Sequence, residues 1–188
     1  INVTIFNRLD VHKAVKKMFG DFTSTVLLQK PSHESRSFVN FCKDVQEQMW
    51  EDLQHRHMSG IEVLRNLGMA RGQGGVMIPV VFTSALEFDS DAMKWLGTYD
   101  YGVSQTPQVN LDCQVFRRGK TVVINFDVLA GVFPAGLIDQ MQERLVAHLE
   151  SLSGAWTAWD QSFAQSSAFA VDRSGYVYNN VARLSPKQ

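Results

Sequence analysis

The run VMIPVVFTS, from Val76 to Ser84, constrains the fold more than any other stretch of this chain. It is apolar at almost every position, so an extended chain here has no wet face. A strand of that kind is buried on both sides, in the middle of a sheet flanked by helices. It is also too short to cross a membrane as a helix. The run therefore predicts an α/β fold built around a central sheet. At 188 residues the chain suffices for one domain with a proper core, or for part of a larger one. Its formal net charge of -1, from mixed signs, argues against nucleic acid and acidic membranes as partners, since both favour basic patches.

Two strands are expected before that run. INVTIF alternates from Ile1 to Phe6, and DFTSTVLLQ, from Asp21 to Gln29, is rich in β-branched residues. Ser32 is placed to cap a long helix from about His33 to His57, with Phe38, Phe41, Val45, Met49 and Leu53 on one stripe. A shorter helix from Gly60 to about Gly68 and a flexible ARGQGG loop follow. Pro134 is placed to open a last helix with Leu137, Met141, Leu145 and Leu149 on its buried side. After Trp159 the pattern fades into a Ser/Ala-rich extension, in which RSGY, Arg173 to Tyr176, suits a short hairpin. The expected organisation is a lobe over residues 1–159 and an extension and linker over 160–188.

GVSQTPQVNLDCQV, from Gly102 to Val115, carries a second signal. In its later half Val109, Leu111, Cys113 and Val115 alternate with Gln108, Asn110, Asp112 and Gln114, which predicts a strand with one greasy and one polar face. RRGK and then TVVINFDV predict a hairpin turning at Arg118-Gly119. A two-residue loop there sets Asp112 opposite Asn125 and Asn110 opposite Asp127, so the polar row continues onto a second strand. A carboxylate among amides is either a solvated surface group, the commoner case, or a group in a polar cavity suited to proton transfer. Spacing leaves both open.

Other chemistry-bearing residues have plain structural explanations. Thr83 and Ser84 can orient a substrate amide or a water, but hydroxyls at a strand end also satisfy the next turn. His55 and His57 lie at a helix end, which favours them without a metal, and no metal site is expected. Gly72, Gly74 and Gly75 do not form G-x-G-x-x-G and follow a helix rather than a strand. Cys42 and Cys113 give neither a disulfide framework nor a metal pattern, and a reducing cytoplasm is the default. Cys113 falls on the greasy side as a small core residue. Trp156 and Trp159 are expected to pack the last helix. No Ser-His-Asp or Cys-His arrangement is legible.

Taken together, GDFTSTVLL (Gly20 to Leu28), PVVFTSAL (Pro79 to Leu86), SQTPQVNLD (Ser104 to Asp112) and the pair Phe126-Asp127 closely resemble the C-terminal half of heterocyclization domains of nonribosomal peptide synthetases. Those are variants of the condensation domain. INVTIFNR at the start and LSPKQ at the end look like the same half and its exit toward an adenylation domain. Residues after about Trp159 match poorly. The resemblance implies one chloramphenicol-acetyltransferase-like lobe, with a mixed central sheet flanked by helices. It would face the N-terminal lobe of the same domain across a tunnel. The family's D-x-x-x-x-D pair belongs to that other lobe.

The resemblance also implies an activity. An acyl thioester is joined to a carrier-bound cysteine, serine or threonine, and the amide is then cyclodehydrated to a thiazoline or oxazoline. Asp112 is implied to move the protons of ring closure, and Thr83 to orient the intermediate or the departing water. Gln105 and Thr106 are implied supports, with Asn2 and Asn7 as further candidates. Ser84, Gln108, Asn110, Gln114, Asn125 and Asp127 are expected to support the substrate or line its passage. No cofactor is expected on the chain itself. The phosphopantetheine arms would come with upstream and downstream carrier proteins, the implied partners beside the N-terminal lobe and the adenylation domain.

Two positions depart from the family. Its usual Trp before the last Asp is Phe126 here, which lacks an indole N–H, and its common His after the first is Cys113. Half a tunnel cannot exclude water or position two thioesters, so the isolated chain is expected to be silent. Competing readings are a docking module for carrier proteins without chemistry and a plain amide-forming lobe. PVVFTS and SQTPQV, cyclization markers in the family, speak against the latter. Ile1 is not an initiator methionine and no signal peptide is legible, so a piece of a longer cytoplasmic chain is expected.

Overall fold

In the computed structural model, which describes residues 1–29, 37–72, 76–89, 95–97, 102–104 and 106–161, the apolar run supplies the middle strand of a five-stranded sheet. Strands β1 (Asn2–Phe6), β2 (Thr23–Leu27), β3 (Val80–Asp89), β4 (Leu111–Arg118) and β5 (Thr121–Val128) lie in the order β2-β1-β3-β4-β5. β3 runs parallel to β1 and β4, while β2 and β5 are antiparallel edges, so the sheet is mixed. The helices are α1 (Phe38–Gln54), α2 (Gly60–Ala70) and α3 (Leu137–Gly154). Among the described residues, no helix is long and apolar enough to cross a membrane.

β3 begins at Val80 rather than Val76, because Pro79 has no N–H to give a ladder. The Pro79 carbonyl still accepts from the N–H groups of Asn110 at 2.8 Å and Leu111 at 3.1 Å, which ties down the start of β4. The strand is central, as its apolarity predicts, but it is not sealed on both sides. Val80 to Thr83 are half-buried, and Ser84 and Leu86 are exposed. Apolarity reports a strand's place in the sheet; its covering depends on what packs on each face.

The chain forms two compact units, Ile1–Ser32 with Cys42–Val132 and His33–Phe41 with Phe133–Gln188. In the first, strand alternation gives the sheet an apolar face carrying Val3, Val26 and Phe82. Val3, Val26 and Leu28 are buried there, and Val45 and Met49 of α1 pack on them, as the helical stripe predicts. Each such side chain contributes roughly 1.5–3 kcal/mol when fully buried.

α2 meets β2 on the opposite face, over Thr25 and Leu27. Its first residue is glycine because a Cβ on Gly60 would lie 2.8 Å from Thr25 Oγ1 and 3.3 Å from Leu27 Cδ2. Ser59 caps this helix. Its hydroxyl accepts from the Glu62 N–H at 3.3 Å, and the Glu62 carboxylate accepts from the Ser59 N–H at 2.8 Å. The second bond holds the Glu62 carboxyl below the usual carboxylate range. Between β1 and β2 the chain is gathered by Arg8. Its guanidinium donates to the carbonyls of Val15 at 2.6 Å and Met18 at 2.7 Å, and lies 3.9 Å from the centre of the Phe22 ring.

In the second unit α1 starts at Phe38, and the Ser37 hydroxyl accepts from the Asn40 N–H at 3.4 Å. The expected cap at Ser32 and start at His33 lie outside the described residues. α1 ends at Gln54, short of His57. α3 starts at Leu137, not Pro134, because Gly136 is left-handed with φ 76° and interrupts any helix begun earlier. Its expected stripe holds in part: Leu137 and Leu145 are half-buried and Leu152 is buried, whereas Met141 and Leu149 are exposed. Phe38 makes edge contacts with His148 at 5.1 Å and Trp159 at 5.3 Å. Trp159 packs as expected, and its indole N–H donates to the Leu152 carbonyl at 3.0 Å. Trp156 is exposed, its ring centre 6.2 Å from that of Trp159. The RSGY hairpin, and the extension apart from Asp160 and Gln161, lie outside the described residues.

Gly60→Ala should destabilise the first unit. Alanine favours a helix by up to about 1 kcal/mol, but overpacking costs about 1–3 kcal/mol. A thermal melt followed by circular dichroism should show a lower midpoint, partly restored by adding Thr25→Ala.

Candidate active site

The β4–β5 hairpin turns at Gly119-Lys120, one residue later than the sequence suggests. Arg118 pairs with Thr121, and Gly119 has φ 57°. A two-residue turn with positive φ at its first central position places glycine there rather than second. The shift runs through the ladder. Asp112 faces Asp127 and Gln114 faces Asn125, in place of the expected Asp112–Asn125 and Asn110–Asp127 pairs. Because the pairing moves by two residues, every side chain keeps its face, and the polar row still continues onto β5.

One row is polar on all five strands. Thr25, Thr4, Thr83, Gln114 and Asn125 are successive partners across the sheet. The next row on the same face runs through Asn2, Val81, Asp112 and Asp127. Behind them, on the other face, Val3, Phe82, Cys113 and Phe126 form an apolar row.

Asp112 is only 7% exposed. Its Oδ2 accepts from the Gln114 amide at 2.9 Å, while its buried Oδ1 has no hydrogen-bond partner among the described residues. Asp127 is held on both oxygens. Oδ2 accepts from the Ser104 backbone N–H at 2.7 Å and the Gln114 amide at 3.4 Å, and Oδ1 accepts from the Asn125 amide at 3.0 Å. Like charges facing across a strand pair repel, and a buried carboxylate needs donors. The donors are divided unequally here: Asp127 is built into the wall, and Asp112 keeps one oxygen uncommitted. Both border a cavity of 670 Å³ that is walled by Val103, Thr106, Pro107, Val128 and Leu129 among others. That volume falls in the range of small-molecule sites, roughly 300–1,000 Å³.

The other candidates divide sharply. Thr83 shares the Asp112 face, diagonal to it on the adjoining strand, roughly 8 Å away between backbones by strand geometry. Ser84 does not: it falls in the opposite-face row with Val115 and Ile124. Asn2 lies on the polar face, its side-chain amide donating to the Ile78 carbonyl at 3.0 Å. Asn7 lies beyond the other end of β1, away from the Asp112 row, with its backbone N–H bonded to the Phe22 carbonyl. Thr106 and Gln108 line the cavity, but both precede β4 and are exposed. Gln108 has φ 69°, so the strand does not reach back to it as alternation predicts. Asn110 also precedes β4; its carbonyl accepts from the Leu129 N–H at 2.9 Å. Gln105 lies outside the described residues.

Two contributors are absent from the predicted set. Thr4 touches Thr83, and the parity it shares with Asn2 in INVTIF is the signal that could have found it. The Ser104 backbone N–H holds Asp127, and no side-chain pattern announces a main-chain donor.

A mixed five-stranded sheet with three helices is the lobe architecture of condensation domains, which are chloramphenicol-acetyltransferase-like. The chain superposes on the EpoB cyclization-docking bidomain from Sorangium cellulosum with a TM-score of 0.71 and 40% identity, covering 85% of this chain and 32% of that one. It is 38% identical to pyochelin synthetase PchF of Pseudomonas aeruginosa over 165 residues, 85% of this chain and 9% of that protein. Phenyloxazoline synthase MbtB of Mycobacterium tuberculosis is also 38% identical, over 164 residues, 85% of this chain and 12% of its own length. No protein-family profile matches. The chain belongs to the condensation and cyclization domain family of nonribosomal peptide synthetases, and it spans a small part of the curated relatives it matches.

Burial pushes the Cys113 thiol up, and the adjacent Asp112 charge adds to the effect; burial does the same to Cys42. Less thiolate at neutral pH means slower alkylation. Iodoacetamide labelling followed by peptide mass mapping should show both cysteines slower than in the unfolded chain. Asp112→Asn should speed Cys113 and leave Cys42 unchanged.

Proposed function

We propose that this chain supplies the C-terminal half of a cyclization site, in which a carrier-bound acyl thioester is joined to cysteine, serine or threonine and the product is cyclodehydrated. The observation that carries the reading is the buried Asp112 carboxyl, with Oδ2 tied to Gln114 and Oδ1 without a partner among the described residues. One oxygen fixes the rotamer, and the other is left to exchange a proton with a substrate. The relatives' names point the same way, to an oxazoline product for MbtB and a cyclization domain for EpoB.

The chemistry balances around that oxygen. In the first step the amine nitrogen attacks the thioester carbonyl, the carbon–sulfur bond breaks, and the carrier thiol leaves with a proton. In the second, the side-chain sulfur or oxygen attacks the new amide carbonyl and passes its proton to Asp112. Asp112 returns it to the carbonyl oxygen. The carbon–oxygen bond then breaks as the nitrogen lone pair forms the ring C=N bond. The departing water carries the carbonyl oxygen, the nucleophile's proton and the amide proton. Asp127, Asn125 and Gln114 hold the wall that orients Asp112, and the phosphopantetheine arm of the carrier delivers the substrate.

Asp112→Asn, placed in the synthetase that carries this chain, should slow ring closure by at least about a hundredfold while the open-chain amide still forms. Mass spectrometry separates the two products, since the ring is lighter by one water. Equal loss of both products in a folded protein, or undiminished ring closure, would remove Asp112 from the role.

A further inference from the structure

Strand β1 contributes one hydroxyl to the polar row. Thr83 Oγ1 and Thr4 Oγ1 lie 2.9 Å apart and share a hydrogen bond, joining residues 79 apart in sequence. The two threonines are direct partners on parallel strands, so the ladder fixes the distance between their backbones. Their branched side chains have restricted χ1 freedom, which leaves the hydroxyl bond as the remaining determinant of where the Thr83 proton points. A threonine hydroxyl has one proton and two lone pairs. Whichever hydroxyl donates, the bond fixes how Thr83 meets a molecule over the Asp112 row; if Thr83 gives its proton to Thr4, it presents only lone pairs there.

We propose that Thr4 is a positioning residue for ring closure, which takes the Thr83 proton and so makes Thr83 an acceptor toward the substrate. The inference rests on the assignment of Asp112 and Thr83 to that reaction. It narrows the role of Thr83: the hydroxyl accepts from the nucleophile's S–H or O–H, or from the amide N–H, and aims that group. It does not donate to the departing oxygen while it is bonded to Thr4. The two protons that leave with the water then pass through Asp112 alone, whose Oδ1, without a partner among the described residues, lies on the same face.

A hydroxyl pair between strands also stabilises a sheet, so the test must separate aim from stability. Thr4→Val, Thr4→Ser, Thr83→Val, the Thr4→Val/Thr83→Val double variant and Asp112→Asn are compared in the complete synthetase, with its own loaded carriers. Ring-closed and open-chain products are quantified by mass, and folding is checked by thermal melt. Thr4→Val should slow ring closure about tenfold, the scale of one well-placed hydrogen bond, without slowing amide formation. Thr4→Ser should restore the rate. In the Thr83→Val background Thr4→Val should add nothing, because its effect runs through Thr83.

Unchanged ring closure in Thr4→Val, an equal loss of both products, or an independent loss on top of Thr83→Val would overturn the inference. If Thr4→Val melts early, the ratio of ring-closed to open product still decides, since unfolding lowers both together. Asp112→Asn separates the two levels. Loss of ring closure there with none in Thr4→Val removes only the role of Thr4; undiminished ring closure there removes the underlying assignment.

Discussion

The turn at Gly119-Lys120 sets the register of β4 against β5, and through it the composition of the site. A slip of one residue would send one strand's polar side chains to the greasy face. A slip of two would keep the faces but separate the two aspartates. In the observed register they are opposite each other, with the Gln114 amide reaching both. The distribution of donors then differentiates two chemically identical side chains. Asp127 is held by a backbone N–H and two side-chain amides, and Asp112 by one amide. The proposed chemistry needs a carboxyl that is oriented and still has an oxygen without a partner among the described residues, and of the two facing aspartates that is Asp112.

The two faces of the sheet have different work. Val3, Val26 and Phe82 make the face on which α1 packs, and that burial is a large part of the first unit's core. The other face can be polar because many of its groups pair along and between strands, as Thr83 does with Thr4 and Asn125 with Asp127. Polar groups paired in this way cost far less than orphaned ones. Helix α2 can still reach this face at β2, but only through a glycine set against Thr25.

Much of this was legible in the sequence, and the limits have physical causes. Period-two alternation identified the strands, the polar row and the place of Asp112 on it, because side-chain direction in a strand is a local property. The apolar run located the central strand. Register was not legible, because alternation is blind to a shift of two residues and depends on which turn position the glycine fills. Strand starts slipped for local reasons, at Pro79 with its missing N–H and at Gln108 with its left-handed backbone. Ser84 adjoins Thr83 in sequence, yet neighbours in a strand point apart. Main-chain donors such as the Ser104 N–H carry no sequence signature at all.

Cys113 follows Asp112 directly, yet strand alternation turns its sulfur into the row of Phe82 and Phe126. Burial there pushes the thiol up. In the proposed reaction, a free thiolate on the polar face would compete with the carrier for acyl groups. One backbone step therefore turns the sulfur away from the polar row, while the Asp112 charge still reaches it and adds to the effect of burial.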